Sequence, residues 1–117
     1  LRNHKFKLGS VWCEVAGGDI YFTGGRGNLN EVVRVSGSCL EVTQKTGMLS
    51  SRGYHGSVYD KGFLYAIGGS RGSAHGECER LSVNEERWEA LKPLPQACCD
   101  VSVVVAKEAK CLYALGG

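Results

Sequence analysis

The stretch LYAIGG, residues 64–69, occurs three times in this chain with small changes. The other copies are IYFTGG at residues 20–25 and LYALGG at residues 112–117. Their glycine pairs lie 44 and 48 residues apart. Self-similarity at a period of this length indicates that one structural unit is repeated along the chain.

Each copy is typical of a strand buried on both faces. Each copy begins with an apolar residue and a Tyr. The fourth residue of each copy is again apolar or β-branched. A second apolar run precedes each copy across a short link, at residues 11–16, 54–59 and 101–106. Two strand-like runs joined by so short a link predict an antiparallel β-hairpin.

A polar loop follows the first two glycine pairs and leads to two further strand-like runs. These runs are residues 31–35 and 39–43 in the first copy, and residues 78–83 and 87–91 in the second. Four strands per period form the unit of a β-propeller. The sequence therefore predicts an all-β fragment of a single propeller domain, about two and a half four-stranded antiparallel blades, at about 9–44, 52–92 and 97–117.

The paired glycines have a physical role in this interpretation. Backbones crowd together near the axis of a propeller, and a residue without Cβ permits both close approach and positive φ. We therefore expect the glycine pairs to occupy equivalent, crowded positions in successive sheets.

These residues resemble the Kelch repeat. In that family a double glycine ends the second strand, a Tyr lies in the third, and a Trp opens the fourth after six intervening residues. The glycine pair at 68–69 and Trp88 fit this pattern, with Leu81 in place of the Tyr. In the first copy we expect Val35 at the Tyr position and Leu40 at the Trp position, across a shorter turn. The Trp-Asp dipeptide of the rival propeller repeat does not occur.

The resemblance implies a protein–protein interaction module. Kelch-like propellers often follow BTB- and BACK-type domains and present substrates to a cullin-type ubiquitin ligase. A propeller that binds actin in the cytoskeleton is an alternative. A second alternative is a propeller enzyme, of the copper radical oxidase or sialic-acid isomerase type.

The enzyme alternative finds little support in the residues. Copper radical oxidases hold copper with two His and two Tyr, whereas His55 and His75 lie on different segments here. The sequence has no evident paired carboxylates, nucleophile elbow or phosphate-binding loop. We therefore predict a protein that is not an enzyme, with no catalytic residue, cofactor or metal ligand.

The strand directions place two sets of segments at the same end of the sheets. The loops between second and third strands emerge there together with the links between units. Because recognition residues concentrate on long loops held by a rigid scaffold, we expect a protein or peptide partner at this end. Three arginines in the set favour carboxylates on the partner. The predicted partner-binding residues are Arg26, Asn28, Asn30, Ser51, Arg52, Arg71, Ser73 and His75.

Charge and hydropathy exclude two classes of partner. The net charge is +2, and the 14 Lys and Arg residues are scattered singly, without the basic stripe of a nucleic-acid groove. The longest apolar runs are too short to span a bilayer. Residues 1–8 also lack the apolar core of a secretion signal. We predict neither a nucleic-acid nor a membrane partner.

The cysteines indicate a reducing compartment. Six are present without a Cys-x-x-Cys pair, and the three histidines are scattered, a pattern that suits no zinc site. Unpaired thiols are typical of the cytoplasm, where we expect the protein. The adjacent Cys98 and Cys99 leave a redox sensor as an alternative, although no His or Lys cluster stands beside them.

The ends of the sequence indicate a piece of a longer protein. The chain lacks an initiator Met, and its last six residues are the third copy of the repeat. We expect the remaining blades to come from the missing part of the chain or from another chain. Residues 112–115 would then form an unpaired strand edge that favours association.

Overall fold

The computed structural model describes residues 8–27, 29–106 and 111–116. In these ranges the chain forms ten β-strands and one 3-10 turn, Ala16–Gly18. The prediction of an all-β fold is confirmed. The strands are β1 (Val11–Glu14), β2 (Ile20–Thr23), β3 (Val32–Val35), β4 (Val42–Lys45), β5 (Gly56–Asp60), β6 (Phe63–Ile67), β7 (Cys78–Ser82), β8 (Arg87–Leu91), β9 (Ser102–Ala106) and β10 (Cys111–Leu115).

The strands form three open sheets in chain order. Strands β1–β4 make the first sheet and β5–β8 the second, each in sequential order, while β9 and β10 pair as a third. Every neighbouring pair is antiparallel. Four-stranded antiparallel sheets are therefore confirmed for the first two units. No helix in the described ranges is long and apolar enough to cross a membrane.

The repeated tetrad packs as the sequence predicts. Successive side chains of a strand point to opposite faces. In β6, Leu64 and Ala66 join a core cluster with Val32 of the first sheet. Ile67 and Tyr65 join a second cluster with residues of β9. The second sheet is consequently packed between the first and third sheets. Its strand β5 contacts β1 of the first sheet and β9 of the third.

The glycine pairs lie where one sheet meets the link that follows it. Gly24 and Gly68 have φ of +66° and +63°, and a Cβ on Gly68 would lie 2.7 Å from the carbonyl oxygen of Cys98. A Cβ on Gly24 would meet the carbonyl oxygen of Arg52 in the same way. These positions are equivalent and crowded, as expected, and side chains are excluded from them.

A second relationship repeats across all three sheets. Gly9, Tyr54 and Asp100 each stand two residues before the first strand of their sheet and have positive φ of 80°, 53° and 53°. The Tyr54 N–H donates to the Gly9 carbonyl at 2.9 Å, and the Asp100 N–H donates to the Tyr54 carbonyl at 2.8 Å. Successive sheets are thus joined by the same main-chain hydrogen bond.

The structure corrects the predicted start of the fourth strand in the first sheet. β4 begins at Val42, three residues later than predicted. Val42 pairs with Val35 as Trp88 pairs with Leu81, so Val42 and not Leu40 occupies the Trp position. Six residues separate the partners in both sheets, so the expected shorter turn is wrong as well.

The reason is the conformation of the turn. Leu40 has a φ of 56°, is exposed, and donates its N–H to the Ser36 carbonyl at 3.0 Å. Glu86 has a φ of 55° and makes the same bond to Ser82 in the second sheet. Leu40 is therefore an apolar residue of the turn, and its apolar side chain led to the wrong prediction that it lies in the fourth strand.

Candidate functional site

The loops and links predicted to share one end of the sheets are hydrogen-bonded to one another. The β2–β3 loop (24–31) meets the β4–β5 link (46–55) through a bond from the Arg52 N–H to the Leu29 carbonyl, at 2.9 Å. That link meets the β6–β7 loop (68–77) through reciprocal bonds between Gly53 and Ser70 at 3.0 and 2.8 Å. We call this surface the loop end.

A buried ion pair lies beneath the loop end. Arg52 has no solvent exposure, and its Nη2 donates to Oε2 of Glu79 at 2.7 Å. Its Nη1 donates to the carbonyls of Gly68 and Glu77 at 2.8 and 2.6 Å. The Glu79 carboxylate also accepts the N–H groups of Leu49 and Ser50, at 2.7 and 3.1 Å. The pair binds the β4–β5 link to the β6–β7 loop and to β7.

This pair is a correction to the predicted site, because the Arg52 side chain has no surface with which to contact a partner. Its guanidinium instead satisfies two carbonyl groups and one carboxylate inside the fold. Glu79 was the signal in the sequence that could have indicated this pair. Strand alternation places its carboxylate on the buried face of β7, and a buried charge needs a partner of opposite charge.

Asn30 is exposed but used for structure. Its Nδ2 donates to the Met48 carbonyl at 2.9 Å, and its own carbonyl accepts the Met48 N–H at 2.8 Å. Asn30 therefore fastens the β2–β3 loop to the β4–β5 link with two bonds. Of the other predicted residues, Ser51 is half-buried and Asn28 lies outside the described residues.

Arg71, Ser73 and His75 belong to one short hydrogen-bonded turn. The exposed Arg71 donates from Nη1 to Oε2 of Glu77 at 3.0 Å, and its N–H donates to the Ser73 carbonyl at 3.0 Å. Nδ1 of His75 accepts the Glu77 N–H at 3.2 Å. Burial and the nearby Arg52 charge lower the pKa of His75, partly opposed by Glu77. The turn is rigid at its base and exposed at Arg71 and Ser73.

Tyr54, which the sequence predicts as the first residue of a strand-like run, is an exposed aromatic side chain of the loop end. The side chain is 37% exposed and lies over Gly9, where a Cβ would come within 2.8 Å of its ring. The positive φ turns Tyr54 out of the strand that begins two residues later. Nothing in the sequence marks that conformation, since most residues with positive φ are glycines.

His55 is buried, in keeping with a packing residue. Its Nε2 lies 2.7 Å from Oγ1 of Thr23 in the first sheet. Burial, followed by the charges of Arg52 and His75, lowers the pKa of His55 to about 3. The ring is therefore neutral at physiological pH and joins the first two sheets.

The remaining chemistry-bearing side chains are dispersed. All six cysteines are free thiols. Across the ranges that the structure describes, no three His, Cys, Asp or Glu side chains are grouped as metal ligands would be. Among the exposed polar and aromatic groups of the loop end are Arg26, Arg71, Ser73 and Tyr54, carried on a hydrogen-bonded base. Asn30, Glu31, Thr46 and Glu77 are exposed there as well.

No protein-family model matches this chain, and no curated protein is significantly similar to it.

Proposed function

We propose that this chain is part of a β-propeller interaction domain whose loop end binds a protein or peptide. The observation that carries the proposal is that the loop end combines buried or hydrogen-bonded side chains that hold its loops together with exposed arginine side chains. Arg52, Glu79 and Asn30 hold the loops together through hydrogen bonds, while the side chains of Arg26 and Arg71 are exposed. A rigid base with exposed arginines is suited to recognition because little ordering is required on binding.

The propeller proposal rests on the equivalence of the sheets. Tyr21 is buried between the first and second sheets, and Tyr65 packs between the second and third. Tyr113, at the same position in β10, is 53% exposed and neighbours Leu115, which is 63% exposed. A further sheet packed in the same relation would cover both side chains. That sheet would come from another part of the protein or from another chain.

Carboxylates are the partner groups that the exposed arginines favour. Arg71 already donates to Glu77, and both side chains are about half exposed. Exposed ion pairs of this kind contribute roughly 0–1 kcal/mol, so a carboxylate on a partner can replace Glu77 at small cost. The guanidinium fork then provides two parallel hydrogen bonds to the incoming group.

The biological setting follows from the Kelch resemblance. In that setting the domain is the substrate-recognition part of an adaptor for a cullin-type ubiquitin ligase in the cytoplasm. The adaptor proposal is tested by co-precipitating the full-length protein with a cullin scaffold from cells. Recovery of actin filaments without the scaffold would instead support the cytoskeletal alternative.

Binding at the loop end is tested with immobilised peptides rich in Asp and Glu, and with the same peptides carrying Asn and Gln. We expect the full-length protein to bind the acidic set, and Arg26→Ala with Arg71→Ala to weaken that binding at least tenfold. Arg87→Ala is the matched control, since Arg87 is exposed and pairs only with Glu85 in the β7–β8 turn among the described residues. Equal weakening by Arg87→Ala would contradict the proposed surface.

A further inference from the structure

Glu77 takes part in two features of the loop end. Its Oε2 accepts a hydrogen bond from Nη1 of the exposed Arg71 at 3.0 Å. The same residue lines an open cleft of about 250 Å³ between the β4–β5 link and strands β7 and β8, which we call the Glu77 cleft. Its lining includes Leu49, Ser50, Glu77, Ala90, Leu91 and Pro93. The Arg71 guanidinium and the cleft therefore adjoin, with the Glu77 side chain common to both.

The walls of the Glu77 cleft are mainly apolar. Leu49, Ala90 and Pro93 are exposed, and Leu91 is half-buried. A single exposed Leu on a protein surface needs no explanation, but here three exposed apolar residues border one concavity. An apolar group placed in the cleft would remove this surface from water, which is the main source of favourable free energy in most protein associations.

The backbone that carries Leu49 is fixed in place. The N–H groups of Leu49 and Ser50 donate to the Glu79 carboxylate at 2.7 and 3.1 Å. That carboxylate is itself paired with the buried Arg52 at 2.7 Å. The Leu49 side chain is thus 61% exposed on a backbone that is bonded to β7, and little ordering is needed when a partner binds there.

The carboxylates of the cleft do not favour a basic side chain in it. Glu79 lines the cleft, but its charge is compensated by Arg52 inside the fold. Glu77 is paired with Arg71, and when a partner displaces it from Arg71 its half-exposed side chain is hydrated. A Lys side chain would therefore lose hydration in a mainly apolar space without gaining a buried partner.

We propose that the Glu77 cleft receives an apolar side chain of the same partner whose carboxylate binds Arg71. This inference rests on the proposed function and narrows the partner to a peptide segment with an acidic and an apolar residue separated by one residue. Two such side chains point to the same side of an extended chain, so both can meet one surface. A cavity of about 150 Å³ accommodates benzene. The larger Glu77 cleft has room for the side chain of Leu, Met or Phe.

Fluorescence anisotropy of labelled peptides with the full-length protein measures the second contact. The peptides carry Asp-Ser-Leu or Leu-Ser-Asp, and matched peptides carry Ala or Lys in place of Leu. We expect the Leu peptide, in one of the two orders, to bind at least fivefold more tightly than the Ala and Lys peptides. Equal binding of the Leu and Ala peptides overturns the inference, and tightest binding of the Lys peptide assigns the cleft to a basic residue instead.

Two exposed leucines provide a matched pair of variants. Leu49 borders the cleft and is 61% exposed, whereas Leu40 lies in the β3–β4 turn and is 60% exposed. We expect Leu49→Ser to reduce the preference for the Leu peptide over the Ala peptide at least threefold, and Leu40→Ser to leave it unchanged. A loss of affinity in Leu49→Ser that is equal for both peptides would show that Leu49 does not contact the apolar side chain, and would overturn the inference.

A probe without a carboxylate separates this inference from the proposed function. N-acetyl-leucinamide at millimolar concentration should shift the methyl signals of Leu49 and Leu91 in the NMR spectrum of the full-length protein, whereas N-acetyl-lysinamide should not. Unchanged signals at both residues overturn the apolar cleft even where acidic peptides bind. Failure of every acidic peptide to bind would instead contradict the proposed function.

Discussion

Arg52 and Glu79 lie 2.7 Å apart on segments separated by 27 residues, with side-chain exposures of 0% and 2%. The two charges are satisfied by four further hydrogen bonds, two to backbone carbonyls and two from backbone N–H groups. Removing one partner of such a pair leaves an uncompensated buried charge.

We therefore expect Arg52→Ala to lower the free energy of unfolding by about 3–5 kcal/mol. An exposed partner-binding residue, which the sequence predicts at Arg52, would instead be removed with little loss of stability. Urea unfolding followed by circular dichroism measures the change. Arg71→Ala is the matched control, for which we expect a loss below about 1 kcal/mol because its ion pair is exposed. Similar losses in both variants would show that the Arg52 pair contributes little.

Trp88 is 6% exposed, packs in the first core cluster and donates from Nε1 to the Thr46 carbonyl at 2.9 Å. We expect Trp88→Ala to destabilise the protein by about 3–5 kcal/mol, as for other large core truncations. Trp12→Ala removes the same side chain from a site that is 63% exposed, and should cost less than about 1 kcal/mol. Thermal unfolding distinguishes the two, and a larger effect at Trp12 would contradict the packing described.

Gly68 combines a positive φ of 63° with a neighbouring carbonyl oxygen 2.7 Å from any added Cβ. Gly72 has a positive φ of 82° with open space around it. Both Gly→Ala substitutions incur the backbone strain of about 1–2 kcal/mol, but only Gly68→Ala adds a steric clash. We expect Gly68→Ala to be the more destabilising by at least 1 kcal/mol in urea unfolding. Equal effects would mean that the Cys98 carbonyl moves away freely.

We expect the protonation of His55 to make the free energy of unfolding depend on pH. Its folded-state pKa of about 3 lies below the ordinary value of 6.5, so below pH 6.5 the unfolded chain takes up a proton that the folded chain refuses. Stability is therefore complete above pH 6.5 and falls as the pH drops toward 3. One such group contributes a loss of about 2 kcal/mol between pH 7 and pH 5.

The lowered pKa of His75 adds a loss in the same direction. Urea unfolding at pH 7 and pH 5 measures the sum, and His55→Gln should remove most of the difference. An undiminished difference in His55→Gln would assign the dependence to other groups.

Much of the fold follows from short-range patterns. The hexapeptides, the two-residue alternation and the glycine spacing are local features, and they predicted the hairpins and four-stranded sheets that the structure confirms. The start of β4 was not predicted correctly, because Leu40 adopts a left-handed backbone conformation that its residue type does not indicate.

The loop end was predicted less well than the sheets. Whether Arg52 faces solvent or Glu79 depends on two segments 27 residues apart, and residue type alone does not decide between these environments. The exposure of Tyr54 depends on its own φ and on Gly9 of the preceding unit. Strand direction predicts which loops share one end of the sheets, whereas long-range contacts decide which of their side chains are exposed.

The bonds that connect Gly9, Tyr54 and Asp100 involve only main-chain atoms. These three positions hold a glycine, an aromatic residue and an acid, and the main-chain hydrogen bond between units is the same at each. A single-residue deletion just after Tyr54 would be far more damaging than any replacement there, since it would swap the two sides of β5 and present each neighbour with the wrong set of side chains.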